Sequence, residues 1–234
     1  MLHAQSFCLV FAFALVLIVF VPIATEADES CAYVCPTTLP PTLLPPPLMG
    51  HDAERDLKAV IKAQHHLVPR DIVTMRDEQK MRLDIVTRVI GSDFRRARYP
   101  KTFDLLDHVM ADTHALSHAD KDYWHTKRPY LISPKVKLMV DPIDSNPAYP
   151  SGHTSGSFVL AEVLGLLFPD KLADLRSRAD AIALHRIEAG VHFPSDVAAG
   201  KELGALIIGA LLSSDNFQSD LEDAKEEVTA VNGR

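Results

Sequence analysis

Apolar residues recur at helical spacing along most of the chain from residue 51 onward, and this periodicity restricts the fold more than any other feature. In residues 51–67, for example, Leu57, Val60 and Ile61 fall on one helical face, and Pro69 ends the pattern. Alternating apolar and polar residues, which are typical of half-buried strands, are scarce. The predicted helices cover residues 51–67, 78–91, 101–128 in one or two pieces, 152–168, 170–189 and 195–212. We therefore predict an all-α fold, in which a single domain forms a compact helical bundle.

Proline marks the segments that are predicted to be non-helical. Residues 28–50 contain the run CPTTLPPTLLPPPL, which we predict to be an extended segment that links to the domain or packs along its surface. Residues 130–150 carry several prolines and are predicted to be mostly loop. The helical domain is assigned to residues 51–212. The acidic tail of residues 213–234 is predicted to be a solvated helix or a frayed end.

The first 27 residues have the layout of a secretory signal peptide. An almost wholly apolar run, SFCLVFAFALVLIVFVPIA, is followed by the polar stretch TEADES, with cleavage predicted after Ala27. No Lys or Arg precedes the run, so only the α-amino group and His3 could supply positive charge. The alternative is an uncleaved membrane anchor, although Pro22 shortens the span. We predict a periplasmic or secreted protein.

Cysteine usage is consistent with export. Cys8 would leave with the signal peptide, and Cys31 and Cys35 would remain in an oxidising compartment. These two could bridge each other across a small loop, and the sequence leaves their pairing open. A zinc site at this pattern lacks a second ligand pair with suitable spacing.

The charge of the chain restricts its partners. The formal net charge is −7, which argues against a general nucleic-acid-binding protein because such binding needs basic surface. Hydrophobic residues make up 47% of the chain and charged residues 24%, as in folded globular proteins. Local basic groups can still form a pocket for a small anion.

One cluster of polar residues lies at the start of the apolar helix predicted at 152–168. The stretch NPAYPSGHTSG places Ser151 where a helix cap is expected, with Gly152 as a bend and His153 in the first turn. A cap alone explains this pattern. The alternative is an anion site, because the free N–H groups of a helix start attract negative charge.

A second cluster, HRIEAGVHFPSDVAAG, follows the apolar stripe of the helix predicted at 170–189. Arg186 ends that stripe, and His192 and Asp196 are one helical turn apart across a helix restart at Pro194. A carboxylate there can hold one imidazole N–H and leave the other nitrogen free as a nucleophile or base. Alternatively, Asp196 only complements the helix dipole.

Together with KDYWHTKRPY, these clusters form three separated motifs. Lys-x6-Arg-Pro begins at Lys121, Pro-Ser-Gly-His at Pro150, and Arg-x5-His-x3-Asp at Arg186. Their order and spacing resemble the signature of the type 2 phosphatidic acid phosphatase (PAP2) superfamily, which includes secreted bacterial non-specific acid phosphatases, membrane lipid phosphatases and vanadium haloperoxidases. The run LLPPPL upstream is similar to the start of the class A acid phosphatases. The resemblance covers residues 43–212 and implies a helical bundle of the PAP2/haloperoxidase type.

The resemblance also implies a role for each motif residue. The implied phosphate-binding residues are Lys121, Arg128, Ser151, Gly152 and Arg186. His192 would attack phosphorus to form a phosphohistidine, Asp196 would orient its ring, and His153 would act as general acid and then as general base. The motif usually has Ser before its third-cluster Arg, whereas this chain has His185. That change could alter the hydrogen bonds around the site or the pH profile.

The implied function is an exported, metal-independent acid phosphatase that acts on small phosphomonoesters without a cofactor. Phosphate or vanadate would be site ligands, nucleic acid would not be a partner, and the helical bundle could form a homodimer. The alternatives are a vanadium-dependent haloperoxidase, a membrane-anchored lipid phosphatase and a catalytically dead phosphate-binding protein. His114 and His118, at helical spacing i and i+4, could ligate a metal but lack a third ligand of clear spacing.

Overall fold

The computed structural model describes residues 31–143 and 147–233, and the regular secondary structure of these residues is helical throughout. The helices are α1 (Gly50–Ala63), α2 (Pro69–Asp77), α3 (Asp84–Thr87), α4 (Pro100–Trp124), α5 (Pro129–Ile132), α6 (Gly152–Leu167), α7 (Leu172–Glu188), α8 (Pro194–Leu212) and α9 (Asp215–Asn232). The predicted all-α fold is confirmed, and the segment 133–143 is loop as predicted. The predicted signal peptide, residues 1–27, lies outside the described residues.

Helix α6 lies at the centre of the bundle and packs against α4, α7 and α8. Its apolar side chains are buried on nearly all faces, as expected for a helix in the interior of a protein. Ser151 caps the helix, because its Oγ accepts a hydrogen bond from the N–H of Thr154. The N-terminal end of α6 therefore begins inside the protein rather than at its surface, with Ser151 fully buried.

A close approach of α8 to this capped end depends on Gly200. A Cβ at Gly200 would lie 2.7 Å from the main-chain oxygen of Ser151 and 2.9 Å from Cβ of Thr154. We expect Gly200→Ala to lower the free energy of unfolding by about 1–3 kcal/mol, because the two helices must move apart. The matched control is Gly209→Ala on the same helix, where a Cβ meets nothing within 4 Å. Because alanine is the better helix former, the control should be neutral or up to about 1 kcal/mol more stable. Urea unfolding measures both, and equal stabilities for the two variants would contradict the close approach.

The proline-rich segment at the start of the described residues contributes to the core. Val34 and Leu44 of the proline-rich segment are buried, so this segment packs on the domain. The carboxylate of Asp112 on α4 accepts hydrogen bonds from three successive N–H groups, those of residues 32–34, at 2.7–3.0 Å. Cys31 and Cys35 form a disulfide, which settles the pairing that the sequence left open.

The C-terminal tail differs from the prediction of a solvated or frayed end. It forms α9, and Phe217, Leu221, Ala224 and Val228 on one face are buried against the core. The reason is the spacing of these residues, which places them on one stripe. Two acidic residues also bind the domain: Asp220 accepts a hydrogen bond from Tyr33, and Glu227 accepts hydrogen bonds from Thr102. The prediction relied on the acidic composition of the tail and did not take this apolar stripe into account.

The segment between residues 69 and 91 also differs from the prediction. The helix predicted at 78–91 is reduced to the four-residue α3, and α2 was not predicted. Pro69 was interpreted as the end of a helix, but it occupies the first turn of α2, where Asp71 accepts the N–H of Val68. Ile85 and Val86 are still buried in the core, so the apolar stripe is used without a continuous helix.

The apolar runs FVLAEVLGLLF and GALIIGALL lie mainly in α6 and α8, and both contribute to the core. Among the described helices, none by itself has both the length and the apolar composition needed to cross a membrane. The pair α8 and α9 meets these criteria only in combination, with a bend of 86° between the two helices.

Candidate active site

A cavity of about 690 Å³ opens at the N-terminal end of α6. Six of the eight predicted site residues line it: Lys121, Arg128, Gly152, His153, Arg186 and His192. The other two, Ser151 and Asp196, are buried outside this lining. Asp196 contacts the lining residue His192 through a hydrogen bond, and Ser151 precedes Gly152 in the chain. The fold therefore brings the three sequence motifs together at one place.

The turn after α7 fixes the position of His192. Gly190 has a φ of +76°, a left-handed conformation that favours glycine at a helix C-terminus. The N–H groups of Val191 and His192 both donate to the main-chain oxygen of Arg186, at 3.3 and 3.2 Å. Pro194 then starts α8 immediately, and the imidazole of His192 is held between the two helices with 3% of the residue exposed.

Hydrogen bonds define the tautomer of His192. The guanidinium of Arg128 can only donate, and its Nη1 lies 3.2 Å from Nε2 of His192, so Nε2 carries the lone pair. Nδ1 then carries the proton and donates to Oδ2 of Asp196 at 3.3 Å. The same oxygen accepts the N–H of Phe193 at 2.8 Å, which fixes the carboxylate in the first turn of α8. The arrangement leaves Nε2 as an unprotonated nitrogen beside the cavity.

Burial and positive charge keep both site imidazoles neutral. Burial, followed by the charges of Arg128 and Lys121, lowers the pKa of His192 well below its usual value. Burial and the charge of Arg186 lower the pKa of His153 to about 3. In contrast, burial raises the pKa of Asp196, and the N–H of Phe193 and nearby cations offset part of this effect. An anion in the cavity would raise the pKa of both imidazoles, because it stabilises their protonated forms.

Arg186 presents unused hydrogen-bond donors. Only 1% of the residue is exposed, and its Nη2 donates to the main-chain oxygen of Met75 at 3.2 Å. Its Nε and Nη1 are buried and have no hydrogen-bond partner among the described residues. Burial lowers the pKa of Arg186 to about 10, which leaves it charged at neutral pH. A buried charged donor without a partner is costly, so this residue is prepared to bind an anion.

The ammonium of Lys121 has three main-chain acceptors. Its Nζ donates to the oxygens of Pro147, Ala148 and Pro150 at 2.7, 3.2 and 2.7 Å. An ammonium has three N–H donors, so all of them are used by the loop that leads into α6. Burial lowers the pKa of Lys121 to about 7. Lys121 therefore stabilises this loop, and an oxyanion would reach its Nζ only by replacing a carbonyl.

At the start of α6, the capping and anion-site interpretations are compatible. The Oγ of Ser151 accepts from Thr154, so the side chain is the cap. Gly152 lines the cavity, and its N–H belongs to the first turn, where no partner is available within the helix. A Cβ at Gly152 would lie 3.0 Å from Oγ of Ser117, so a larger residue would narrow the cavity here.

One functional candidate was missed from the sequence: Glu78, the residue that follows α2. The main-chain oxygen of Glu78 lies 3.0 Å from Nε2 of His153. A carbonyl only accepts, so Nε2 of His153 carries the proton and Nδ1 carries the lone pair. The carboxylate of Glu78 is buried and contacts His185. No local sequence pattern predicts these contacts, because they depend on how α2 packs against α6 and α7.

His114 and His118 line the outer part of the cavity with their rings 4.1 Å apart. In the part of the chain that the structure describes, no group of three or more His, Cys, Asp or Glu side chains is arranged to hold a metal ion. Met81 and Met110 form an apolar wall of the same cavity and both approach Gly156 of α6. Tyr123 and Trp124 are not part of the lining.

The chain is similar to several known proteins. The family model described as PAP2 superfamily matches residues 108–219, which contain all three motifs. The chain is 31% identical over 155 residues to a non-specific acid phosphatase of Salmonella typhi, which covers 63% of this chain and 61% of that protein. It is 32% identical over 132 residues to a non-specific acid phosphatase of Providencia stuartii, with 55% and 53% covered. The matched regions thus span about three fifths or less of the length of these relatives.

A solved structure supports the fold. The crystal structure of a bacterial vanadium-dependent iodoperoxidase superposes with a TM-score of 0.53 and 20% sequence identity, covering 72% of this chain and 52% of that one. These findings define an all-α protein with a fold of the PAP2/haloperoxidase type. The predicted resemblance to the PAP2 superfamily and to its bacterial acid phosphatases is confirmed.

Proposed function

We propose that this protein is an acid phosphatase that hydrolyses small phosphomonoesters through a phosphohistidine on His192. One observation carries the proposal: the unprotonated Nε2 of His192 shares a cavity with the unused N–H groups of Arg186. A nucleophile next to donors for the phosphoryl oxygens is what phosphoryl transfer needs, because positioning and charge stabilisation supply most of the catalysis. The names of the bacterial relatives, acid phosphatase and non-specific acid phosphatase, support it.

In the first step, Nε2 of His192 attacks phosphorus and a P–N bond forms while the P–O bond to the leaving group breaks. Arg128, Arg186 and the N–H of Gly152 stabilise the negative charge on the phosphoryl oxygens. Asp196 holds the proton on Nδ1 of His192 and stabilises the positive ring that results. His153, whose Nδ1 is the free nitrogen, donates a proton from there to the leaving oxygen.

In the second step, a water molecule attacks phosphorus, and Nδ1 of His153 takes one of its protons. The P–N bond breaks, His192 regains its neutral form, and inorganic phosphate is released. His153 thus ends the cycle in the protonation state in which it must begin the next one. Its low pKa in the free protein means that the anionic substrate must supply the field that protonates it.

The proposed location is the periplasm or the cell exterior, and the disulfide between Cys31 and Cys35 supports it because such bonds persist in oxidising compartments. We propose that no cofactor or metal takes part and that inorganic phosphate and vanadate compete for the cavity. The proposal includes small-molecule partners and no nucleic acid. A homodimer remains the proposed assembly.

Hydrolysis of a panel of phosphomonoesters at pH 5 tests the proposal. We expect turnover that persists at pH 5, because burial and the charges of Arg128 and Lys121 lower the pKa of His192 and oppose its protonation, and that is unchanged by a chelator. Vanadate should inhibit competitively and should not support iodide oxidation by peroxide. Complete loss of turnover with the chelator would contradict the metal-independent mechanism, and iodide oxidation without phosphatase activity would identify a haloperoxidase instead.

A further inference from the structure

Glu78 is a fully buried carboxylate that has no role in the steps proposed above. It follows the last residue of α2 and is 0% exposed. Three basic side chains of α7 surround it. Nη2 of Arg178 lies 2.6 Å from Oε1, Nδ1 of His185 lies 2.7 Å from Oε2, and Nη2 of Arg186 lies 3.9 Å from Oε2. A buried carboxylate persists only with such partners, so the cluster is held together by charge.

The ionisation of Glu78 is favoured by this cluster. Burial by itself raises the pKa of Glu78, but the hydrogen bond and charge of His185 and the charge of Arg178 outweigh it, and the pKa is lowered. The carboxylate is therefore ionised at neutral and mildly acidic pH. Its negative charge offsets the positive charges that α7 brings towards the cavity.

The main chain next to this carboxylate contacts two residues of the site, Arg186 and His153. The oxygen of Met75 accepts a hydrogen bond from Nη2 of Arg186, and the oxygen of Glu78 accepts one from Nε2 of His153. These acceptors belong to the C-terminal end of α2, where helix carbonyls lack partners within the helix. The end of α2 therefore accepts a hydrogen bond from Nη2 of Arg186 and one from Nε2 of His153. The remaining side-chain nitrogens are Nε and Nη1 of Arg186 and Nδ1 of His153.

We propose that Glu78 is a positioning residue for the phosphoryl site, and that His185, in place of the serine usual in the motif, stabilises it. The carboxylate fixes the end of α2 against α7, and that contact holds Arg186 and His153 in the orientation that binds an oxyanion. This inference rests on the proposed function, because it assigns the oxyanion to a phosphoryl group. His185 lies outside the cavity lining and acts only through Glu78.

Replacing Glu78 by Gln removes a charge while keeping the shape of the side chain. Arg178, His185 and Arg186 would then be three neighbouring basic groups without their carboxylate, so Arg186 would lose its alignment with the cavity. If positioning dominates, affinity for phosphate falls. If Glu78 acted only as a negative charge near the site, its removal would strengthen phosphate binding. The two roles therefore predict opposite changes.

Calorimetric binding of inorganic phosphate and the kinetics of aryl phosphate hydrolysis test this inference. For Glu78→Gln we expect a Kd for phosphate that is about 10- to 100-fold higher and a kcat/KM lower by a similar factor, as for other residues that orient a ligand-binding group. The matched control is Glu162→Gln, which breaks an ion pair of 2.7 Å between α6 and Arg176 of the same α7. The control should change neither quantity more than twofold. Unchanged or tighter phosphate binding by Glu78→Gln overturns the proposal.

His185→Ser provides a second test, which does not depend on whether Glu78→Gln folds. Because the carboxylate remains, we expect a smaller increase in Kd, about three- to tenfold. In a Glu78→Gln background the same change should have no further effect, since His185 acts through Glu78. A Kd within twofold of wild type for His185→Ser, or full additivity in the double variant, contradicts the inference. A wild-type protein that binds phosphate but hydrolyses no phosphomonoester would instead contradict the proposed function.

Discussion

Replacement of His192 by alanine is expected to lower kcat by roughly four to six orders of magnitude, as for removal of other catalytic nucleophiles. In this structure the imidazole is held by Asp196 on one side and Arg128 on the other, with an unprotonated Nε2. His153 is also a neutral imidazole near Arg186, but its ring is hydrogen-bonded to the main-chain oxygen of Glu78 rather than to a carboxylate. In this variant water would have to attack the phosphomonoester directly, without the phosphohistidine that His192 is proposed to form.

Rapid quenching with labelled substrate measures this prediction. Wild-type protein should yield a phosphorylated species that is labile in acid and stable in base, as expected for a P–N bond, and His192→Ala should yield none. His66→Ala is a suitable control, because His66 is exposed and lies in a turn after α1. Thermal melting should show both variants folded at the assay temperature. Turnover by His192→Ala within tenfold of wild type, or a phosphoprotein in that variant, would exclude His192 as the nucleophile.

Arg186→Lys is expected to lower kcat/KM by about 10²- to 10³-fold, the range seen when one donor to a developing oxyanion is removed. Lysine keeps the positive charge but cannot present the planar pair of Nε and Nη1 donors, which are buried and unpaired among the described residues. Its flexible ammonium would also lose the contact with the oxygen of Met75 that now orients the guanidinium.

The control for this prediction is Arg176→Lys on the same helix, because Arg176 faces outward and pairs with Glu162. Its kcat/KM should stay within twofold of wild type. The inhibition constant for inorganic phosphate should rise in Arg186→Lys and not in the control, since the same donors bind product. If Arg186→Lys retained kcat/KM within fivefold, charge alone would suffice and the geometry of the guanidinium would be irrelevant.

The site is assembled from the ends of helices rather than from any one of them. The start of α6 provides Gly152 and His153, the end of α7 provides Arg186, and the start of α8 provides Asp196. Arg128 is the extended residue just before Pro129 starts α5. Helix ends carry unpaired N–H and C=O groups, and here main-chain oxygens orient the side chains of His153 and Arg186.

The hydrogen-bond partners of Lys121 could not be predicted from its motif. The sequence placed it among the groups around the phosphoryl oxygens, and the structure does place it at the cavity. However, its three donors are taken by carbonyls of residues 147–150, which the sequence had described only as loop. The acceptors of a lysine depend on chain segments that are distant in sequence, so a spacing rule cannot assign them.

The helical class and most of the long helices could be predicted from the sequence, because apolar periodicity and proline positions act within a few residues. The residues at the cavity were predicted from the resemblance of the three motifs to a known family. Three features could not be predicted: that α2 exists, that α9 is part of the core and that Glu78 lies among three bases. Burial, ion pairing and hydrogen-bond partners are set by contacts between segments far apart in the chain. The tautomers of His153 and His192, and therefore the nitrogen that each offers to a substrate, depend on these contacts.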